Sequence, residues 1–285
     1  MHFQALNRRA SSTLAVILIV LVVIAVFAAI VSAALILRPF PLVSGPGGSV
    51  SGSGNVVTRE LQFEDFRTVR VGNAFQVEMT HSNVYRVTVT IDDDLSDYLV
   101  VSKEGDVLSV GLKPGYDYRY QSLTLMAQIF LPDLHEVRLG GATRCTVRGF
   151  NLSHKFAVEI SGASSAEIVD MSTEDFEAEI SGASRLSGGA TMDGDARFTV
   201  SGASTATLAG YGSNLVIDAS GASNVELSQF TVHNARVELS GASRATINLD
   251  GRLDADVSGG STLLYVGEPT MGEISVTGGS TVDKK

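Results

Sequence analysis

Apolar and polar residues alternate one by one along most of the chain after about residue 60. The segment Phe176–Ile180 reads Phe-Glu-Ala-Glu-Ile, and Leu215–Ala219 reads Leu-Val-Ile-Asp-Ala. A period of two places every second side chain on the same face, so this pattern predicts strands that bury one face. Because no repeat contains an i, i+3, i+4, i+7 stripe long enough for a helix, we expect an all-β fold for this part of the chain.

A short motif interrupts the alternation at nearly constant intervals. Ser-Gly-Ala-Ser begins at Ser161, Ser181, Ser201, Ser220 and Ser240, and looser copies occupy residues 140–143, 258–261 and 277–280. The glycines at the second motif position lie 18 to 21 residues apart, at Gly141, Gly162, Gly182, Gly202, Gly221, Gly241, Gly259 and Gly278. A period near twenty predicts a solenoid, here a parallel β-helix, in which each coil covers the apolar row of the next one about 4.8 Å away.

The motif residues have separate expected roles at the corner of each coil. Glycine suits a bend where adjacent coils approach closely, so the eight glycines are predicted to be structural corner residues. Parity turns the last motif hydroxyl inward, at Thr143, Ser164, Ser184, Ser204, Ser223, Ser243, Ser261 and Ser280. It turns the first motif residue outward, at Ser161, Ser181, Ser201, Ser220, Ser240, Ser258 and Thr277. For both rows we favour a role in folding over ligand binding.

The N-terminal region contains one long apolar segment. Residues 14–37 are 24 residues interrupted only by Ser32, and a helix of that length spans about 36 Å, enough for the hydrocarbon core of a bilayer. Arg8 and Arg9 precede this segment and Arg38 follows it, which favours a cytoplasmic N-terminus at residues 1–13. We therefore predict an uncleaved, single-pass signal anchor in the cell membrane, with the C-terminal domain extracytoplasmic.

Two other interpretations of the N-terminal region stay open. Residues 31–33, Val-Ser-Ala, resemble a signal-peptide cleavage site, and residues 8–10, Arg-Arg-Ala, resemble a prepilin-type processing site. The Gly/Ser/Pro-rich composition of residues 38–58 predicts a flexible linker that holds the folded domain away from the membrane.

The predicted β-helix domain covers residues 59–285. Strands of irregular spacing at residues 59–135 are expected to form the first, wider coils, and the Ser-Gly-Ala-Ser repeats fill residues 136–285. The strand at residues 274–282 is the predicted last coil, followed only by Asp283-Lys284-Lys285. Because an uncovered last strand presents unpaired backbone groups, we predict weak homo-oligomerisation through this C-terminal edge.

Charge and cysteine content exclude several classes of function. The chain has 21 Lys and Arg against 31 Asp and Glu, and residues 1–38 contain three of the arginines and no acid, so the remainder has 18 against 31, a net charge of −13. Such a surface repels phosphate backbones, which argues against a nucleic-acid partner. The single cysteine, Cys145, excludes an internal disulfide and lies on the inward parity.

Signatures of catalysis or of a cofactor are absent from the sequence. There is no phosphate-binding glycine loop, no H-E-x-x-H and no G-x-S-x-G. The histidines (His2, His81, His135, His154 and His233) are scattered along the chain, so solvated positions are favoured over metal ligands. Asp92-Asp93-Asp94 offers carboxylates for a hard cation but has no calcium-loop spacing, and a solvated turn is favoured there. No metal, cofactor or catalytic residue is predicted.

One loop has an unusual composition. Three of the seven tyrosines and one arginine lie within five residues, at Tyr116, Tyr118, Arg119 and Tyr120. Tyrosine and arginine are favoured at binding hot spots, and tyrosine also stacks on sugars. These four residues are the candidate ligand-binding site, although rings that pack on the first coil would explain the same composition.

The segments that lead into the repeats resemble a known family. Phe66–Gly72 reads Phe-Arg-Thr-Val-Arg-Val-Gly, Phe75–Met79 reads Phe-Gln-Val-Glu-Met, and Leu131–Val137 reads Leu-Pro-Asp-Leu-His-Glu-Val before Gly140–Thr143. With the Ser-Gly-Ala-Ser repeats, they resemble the GIN-type head domain of putative auto-transporter adhesins, a domain of unknown function, over residues 60–282. The resemblance implies the fold and an adhesin-like role, and it supplies no catalytic motif.

We therefore expect a membrane-anchored, extracytoplasmic β-helix that acts as a non-catalytic adhesion or ligand-binding module for an unknown extracellular protein or glycan. A self-associating envelope scaffold or signalling component is the first alternative. An enzyme acting on polysaccharide is the second, because outward carboxylates from successive coils could converge, at Glu159, Glu177, Glu179, Asp218, Glu226 and Glu238.

Overall fold

The computed structural model describes residues 49–285, and the predicted anchor at residues 14–37 lies outside this range. The described chain is all-β, with two short 3-10 segments at Asp93–Leu95 and Tyr120–Ser122. Its strands in chain order are β1 Ser49–Val50, β2 Val56–Leu61, β3 Thr68–Val71, β4 Gln76–His81, β5 Arg86–Asp92, β6 Leu99–Glu104, β7 Val107–Leu112, β8 Asp117–Tyr118, β9 Leu125–Leu131, β10 Glu136–Leu139, β11 Arg144–Arg148, β12 Phe156–Ile160, β13 Ser165–Thr173, β14 Phe176–Ile180, β15 Arg185–Met192, β16 Ala196–Val200, β17 Thr205–Tyr211, β18 Asn214–Ala219, β19 Asn224–Val232, β20 Asn234–Leu239, β21 Arg244–Leu249, β22 Arg252–Val257, β23 Thr262–Val266, β24 Thr270–Val276 and β25 Thr281–Lys284. Within residues 49–285, no helix has the length and apolarity needed to cross a membrane.

Two sheets run the length of this unit and form a parallel β-solenoid. The first has 11 strands in the order β24-β22-β20-β18-β16-β14-β12-β10-β3-β7-β6. The second has 12 strands in the order β2-β5-β9-β4-β11-β13-β15-β17-β19-β21-β23-β25. From β10 and β11 onward every rung takes one strand from each sheet, giving eight rungs related by about seven turns. The predicted parallel β-helix is confirmed.

Equivalent residues of successive coils are paired and buried together. Phe156 of β12 pairs with Phe176 of β14, and Ile160 pairs with Ile180. The rings of Phe156 and Phe176 lie 6.0 Å apart, and those of Phe176 and Phe198 lie 5.7 Å apart, so an aromatic column runs through the core. Buried apolar rows of this kind supply most of the favourable free energy of folding, because a single coil could not cover its own row.

A glycine in the left-handed region turns the chain at each corner. Gly202, at φ +75°, is typical, and a Cβ added there would lie 2.4 Å from the carbonyl oxygen of Gly182. The same oxygen accepts a hydrogen bond from the Ala203 N–H at 2.8 Å. The last motif hydroxyl is buried beside this column, at Thr143, Ser164, Ser184, Ser204, Ser223, Ser243 and Ser261. Some of these hydroxyls bond to corner carbonyls, as Ser223 does to Ser220 at 2.6 Å.

Residues 59–135, expected to form the first, wider coils of irregular spacing, combine parallel rungs with antiparallel strands. Strands β3 and β4 form a rung directly below β10 and β11, and β7 and β9 lie below that rung. Strands β2, β5 and β6 are antiparallel to their neighbours, and β2 and β6 end the two sheets. Only the β6–β7 pair is a hairpin, closed by Gly105 and Asp106, whereas β2–β5 and β5–β9 pair strands that are not consecutive in the chain.

Part of the predicted linker is folded. Ser49–Val50 pairs with Asp117–Tyr118, and β2 begins at Val56, so ordered structure starts well before the boundary predicted at residue 58. The carboxylate of Asp92, 1% exposed, accepts the Gly54 N–H at 2.9 Å. A Gly/Ser-rich composition fits this segment because its backbone lies close to its neighbours: a Cβ at Gly52 would lie 2.6 Å from atoms of Asp92.

Among the described residues, β24 and β25 are the last strands of the two sheets at the C-terminal side. Strand β25 continues to Lys284, so Asp283 and Lys284 belong to the last rung and do not form a tail after it. Met271, Ile274 and Val276 of β24 are exposed large apolar side chains.

Candidate functional site

The tyrosine loop forms an aromatic cluster at the N-terminal end of the solenoid. Tyr98 adds a fourth ring, 4.8 Å from the ring of Tyr116 and 6.1 Å from that of Tyr118. Tyr118 in turn lies 6.0 Å from Tyr120. The structure thus brings together all three tyrosines that the sequence suggested, and it adds one from the segment before β6 that the composition of the loop did not indicate.

Hydrogen bonds fix the inner members of this cluster. Tyr118 is buried and its hydroxyl donates to the Lys113 carbonyl oxygen at 2.7 Å. Burial, helped by the neighbouring phenols, raises the pKa of Tyr118 to about 12. Arg119 donates from Nε to Ser49 Oγ at 2.7 Å, so this guanidinium is engaged within the domain. Tyr116 and Tyr120 keep 39% and 42% of their surface exposed, and they form the accessible part of the cluster.

Asn73, bonded to Tyr120, is the last residue in the column of corner glycines. Asn73 takes the corner position below Gly141, with φ +64°, and its Nδ2 donates to the Tyr120 hydroxyl at 3.0 Å. Its Oδ1 accepts the Leu112 N–H at 2.8 Å. Asparagine tolerates the left-handed conformation better than most residues with a side chain, so it supplies both the bend and the hydrogen bonds.

A groove of about 440 Å³ lies beside Leu112 and Pro114, which lead into the tyrosine loop. Its other lining residues are mostly apolar or small, and its charged ones are Arg70, Arg138 and Glu159, the last of which lies 3.7 Å from Arg138. The Arg138 guanidinium makes two hydrogen bonds to the Glu136 carboxylate, at 2.6 and 2.7 Å. The groove therefore combines apolar walls with a partly neutralised basic floor, a combination that suits a ligand with an apolar face and an acidic or hydroxylated edge.

A second cluster lies beside β10 and β12 of the 11-stranded sheet. The sequence suggested only scattered histidines there. Asp133 Oδ1 lies 2.7 Å from His154 Nε2, and Asp133 Oδ2 lies 3.2 Å from His135 Nε2. The two imidazole rings are 4.0 Å apart. Arg67 Nε approaches the same carboxylate at 3.6 Å. This cluster faces a groove of about 500 Å³ that also contains several glutamates.

The hydrogen bonds of this cluster shift the pKa values of its members. Partial burial opposes ionisation of Asp133, but the hydrogen bond from His154 and the charges of both imidazoles outweigh burial and lower the pKa of the carboxyl. Burial also opposes the charged form of His154, yet the Lys155 carbonyl and Asp133 outweigh it and raise the pKa of the imidazole. The Asp133 carboxylate and the His154 imidazole thus favour opposite charges in contact.

The repeat period contains the signal that could have located this cluster. Asp133 and His154 are 21 residues apart, which is also the interval between Gly141 and Gly162. Residues one repeat apart lie side by side on neighbouring rungs, so the interval alone predicts that their side chains meet. The scattered positions of the histidines along the sequence hide this contact between Asp133 and His154.

The remaining candidates have structural roles in the described chain. The buried Asp92 carboxylate accepts backbone N–H groups of Gly54 and Thr124, and Asp93 accepts the Ser53 hydroxyl. These bonds tie the segment before β2 to the domain. Cys145 is buried, and burial raises the pKa of its thiol to about 12, so it packs as a small apolar residue.

The architecture and the surface clusters define the class of protein: a parallel β-solenoid with one elaborated end that carries an aromatic cluster and two grooves. Residues 65–269 match the family described as putative auto-transporter adhesin, head GIN domain. The chain belongs to this family, which confirms the resemblance seen in the sequence. No curated protein matches the chain at a significant level.

Solved structures share this fold at low sequence identity. A putative adhesin from Parabacteroides distasonis has 16% identity and a TM-score of 0.76, with 83% of this chain and 100% of that chain covered. A putative lipid binding protein from the same species has 18% identity and a TM-score of 0.74, with 83% and 99% covered. A putative adhesin from Parabacteroides merdae has 17% identity and a TM-score of 0.72, also with 83% and 99% covered. Since these chains are covered almost entirely, the solenoid stands as a complete folded unit in them.

Proposed function

We propose that this protein is a non-catalytic adhesion or ligand-binding module, held in the cell membrane by residues 14–37 and presenting its solenoid outside the cell. Membership of an adhesin-like family supports the general class. The acidic surface and the 24-residue apolar segment with its arginine flanks support the location.

The observation that carries the proposal is the tyrosine cluster beside its groove. Tyr116 and Tyr120 are exposed rings held in place by the buried Tyr118 and by Asn73. Rings that are fixed before binding lose little conformational entropy in a complex, which is why tyrosine is frequent at binding hot spots. Aromatic faces stack on the apolar faces of sugar rings, and the arginines of the groove can donate hydrogen bonds to carboxylate or hydroxyl oxygens of a ligand. We infer an extracellular glycan or glycosylated protein as the ligand.

A binding experiment on residues 49–285 tests the proposal. Glycans, cell-wall fragments, extracellular proteins and lipid vesicles are screened against the wild type, and then against the double variant Tyr116→Ala and Tyr120→Ala. Loss of a side chain at a hot spot costs roughly 2 kcal/mol or more, so we expect at least a tenfold loss of affinity in the variant. Tyr211→Ala is the matched control, because Tyr211 is 55% exposed on β17, outside the cluster.

The outcomes separate the competing functions. Glycan or protein binding that the double variant loses and the control keeps supports the proposal. Binding of vesicles alone would assign the groove to a lipid, the ligand class in the description of one similar structure. Binding that both variants keep would move the site elsewhere on the solenoid, and self-association without any ligand would favour the scaffold alternative.

The proposed location has its own test. Protease added to intact cells that express the full chain should remove the β-rich domain and leave a short membrane-embedded fragment. Protection of the repeats in right-side-out cells would contradict the proposed topology. Release of the domain without protease would instead show cleavage of the N-terminal segment.

A further inference from the structure

We infer that Asp133, His135 and His154 form a binding site for a divalent transition-metal ion of the Zn²⁺ type on the outer surface of the solenoid. Among the described residues, these three form a group whose potential ligand atoms all lie within 4.8 Å of one another. Two imidazole nitrogens and a carboxylate oxygen are donors that Zn²⁺ commonly takes in proteins. The inference is independent of the proposed glycan site.

The contacts of the carboxylate with each imidazole lie near the distances between ligands in a tetrahedral metal site. Ligand atoms about 2.0–2.1 Å from a tetrahedral Zn²⁺ are about 3.3 Å from one another. His135 Nε2 and Asp133 Oδ2 are already 3.2 Å apart. The distance between His154 Nε2 and Asp133 Oδ1 is 2.7 Å, so this contact must widen by roughly half an ångström. Side-chain rotation of a partly exposed carboxylate allows a movement of that size.

One imidazole is already oriented as in a metal site. His154 Nδ1 lies 2.9 Å from the Lys155 carbonyl oxygen. A carbonyl can only accept, so Nδ1 carries the proton and donates, which leaves Nε2 free to act as a ligand once its own proton is displaced. Metal-bound histidines usually make this second hydrogen bond to a backbone carbonyl or carboxylate, which fixes the ring and its tautomer.

The surroundings attract cations and leave room for water. The groove that contains both imidazoles is also lined by five carboxylates and one lysine, namely Asp106, Glu136, Glu159, Glu177, Glu179 and Lys155. Lys155 is paired with Glu177 at 2.7 Å and Arg138 with Glu136 at 2.6 Å. The remaining carboxylates leave an excess of negative charge that concentrates cations in the groove. The side chains of Asp133, His135 and His154 are 35%, 40% and 29% exposed, which leaves a fourth position accessible to water or to a group from a partner.

Arg67 is the group that opposes metal binding. Its Nε lies 3.6 Å from Asp133 Oδ2, and its side chain is 57% exposed. A cation at this distance competes with a metal ion for the carboxylate. The proposed site therefore predicts that removing the Arg67 charge tightens metal binding, an effect that a purely structural ion-pair cluster would not produce.

The test is a titration of chelator-treated residues 49–285, without a polyhistidine tag, with Zn²⁺ by calorimetry and with Co²⁺ by visible absorption. We expect one ion per chain and the visible bands of Co²⁺ bound to nitrogen and oxygen ligands. His135→Gln, His154→Gln and Asp133→Asn should each weaken binding at least tenfold, and Arg67→Gln should strengthen it. His233→Gln is the matched control, because His233 also contacts a carboxylate, Asp250, at 2.9 Å but has no second histidine beside it.

Thermal unfolding of every variant, in metal-free buffer, separates lost binding from lost folding. A stoichiometric site that the three ligand variants lose while their metal-free midpoints stay near that of the wild type supports the inference. Absence of stoichiometric binding to the wild type would overturn it, as would equal binding by wild type and ligand variants. Weaker binding in Arg67→Gln would also overturn it, because Asp133 could then not be a ligand.

Discussion

The two ends of the solenoid are built from different kinds of strands. At the N-terminal end the sheets pass from parallel rungs into antiparallel strands, and β2 and β6 are the last ones. At the C-terminal end the sheets stop with the parallel strands β24 and β25. The N-terminal end therefore departs from the repeat, whereas β24 and β25 still follow it.

The same contrast applies to the corner column. In the repeats, glycine follows glycine with a nearly constant φ of 71° to 78°, and a side chain is excluded at each one by the carbonyl of the previous corner. At the N-terminal end the column finishes on Asn73, whose side chain bonds to Leu112 and Tyr120. The regular repeats therefore determine the length of the solenoid, whereas the irregular N-terminal end carries the exposed side chains that can form a binding site.

The largest expected effect is the loss of a corner glycine within the regular region. Gly202→Val places a Cβ 2.4 Å from the Gly182 oxygen in a left-handed conformation. Backbone strain and overpacking should together cost about 2–6 kcal/mol, measured by thermal and denaturant unfolding of residues 49–285. Gly149→Val is the control, because Gly149 also has a positive φ but a Cβ there meets nothing within 4 Å. It should cost only about 1–2 kcal/mol, and equal losses would contradict the stacked-corner explanation.

A smaller effect is expected where the column ends. Asn73→Gly keeps the left-handed bend but removes the acceptor for the Leu112 N–H and the donor to Tyr120. Leaving a partly buried N–H unpaired should cost about 1–3 kcal/mol, less any relief of strain at φ +64°. Unfolding measurements check this value. An Asn73→Gly variant as stable as the wild type would show that the tyrosine loop does not secure this end.

A substitution at the C-terminal edge should change the oligomer fraction in solution more than the free energy of unfolding. Thr277 N–H donates to the Val257 oxygen at 2.9 Å, and successive N–H groups of a strand point to opposite sides, so that of Val276 points to the free edge. Val276→Pro should lower the oligomer fraction in analytical ultracentrifugation without loss of an internal hydrogen bond. Thr277→Pro, the control, should destabilise the last rung. Unchanged sedimentation of Val276→Pro would mean that this edge does not mediate association.

Deletion of residues 283–285 would remove more than the charges at the C-terminal edge. Lys284 lies within β25 and pairs with Glu268, and Lys285 donates its N–H to the Tyr265 oxygen at 2.9 Å. The deletion therefore shortens the last rung as well as removing charge. We still expect a higher oligomer fraction, since charged residues on an edge strand discourage pairing.

The last prediction concerns the chemical reactivity of Cys145, which lies within the regular region. Cys145 is fully buried and its thiol has a pKa of about 12, so its thiolate fraction at pH 8 is negligible. An aromatic disulfide reagent should not label it in the native protein, whereas denaturant should make it fully reactive. Rapid labelling of the native protein would show that this rung opens readily.

The sequence predicted the regular region because two periods agree there. Alternation every two residues fixed the buried face, and the interval near twenty fixed which residues stack, so the inward hydroxyls and Cys145 followed directly. The N-terminal order could not be predicted in this way, since Glu136 pairs with Thr68, which is 68 residues earlier in the sequence. Neither composition nor periodicity encodes a pairing between segments so far apart when other strands lie between them.

The candidate sites show the same division. The composition of the loop identified Tyr116, Tyr118 and Tyr120, whereas Tyr98 joins the cluster only through the tertiary fold. The hydrogen bond from Arg119 to Ser49 could not be predicted either, because the composition of the predicted linker gave no indication of β1. The pairing of Asp133 with His154 was accessible through the repeat interval. A solenoid sequence is therefore best searched for functional residues one coil apart.

The in-register column of corner glycines also determines how the length of the solenoid can change. Each coil touches only the coil on either side, and the Ser-Gly-Ala-Ser segments make one coil nearly equivalent to the next. Gain or loss of one whole coil of about 20 residues preserves every pairing rule and leaves both ends intact. Such an event changes the length of the rod by about 4.8 Å. Relatives of this protein can thus differ in reach, in steps of one coil, while keeping the same aromatic cluster at the same end.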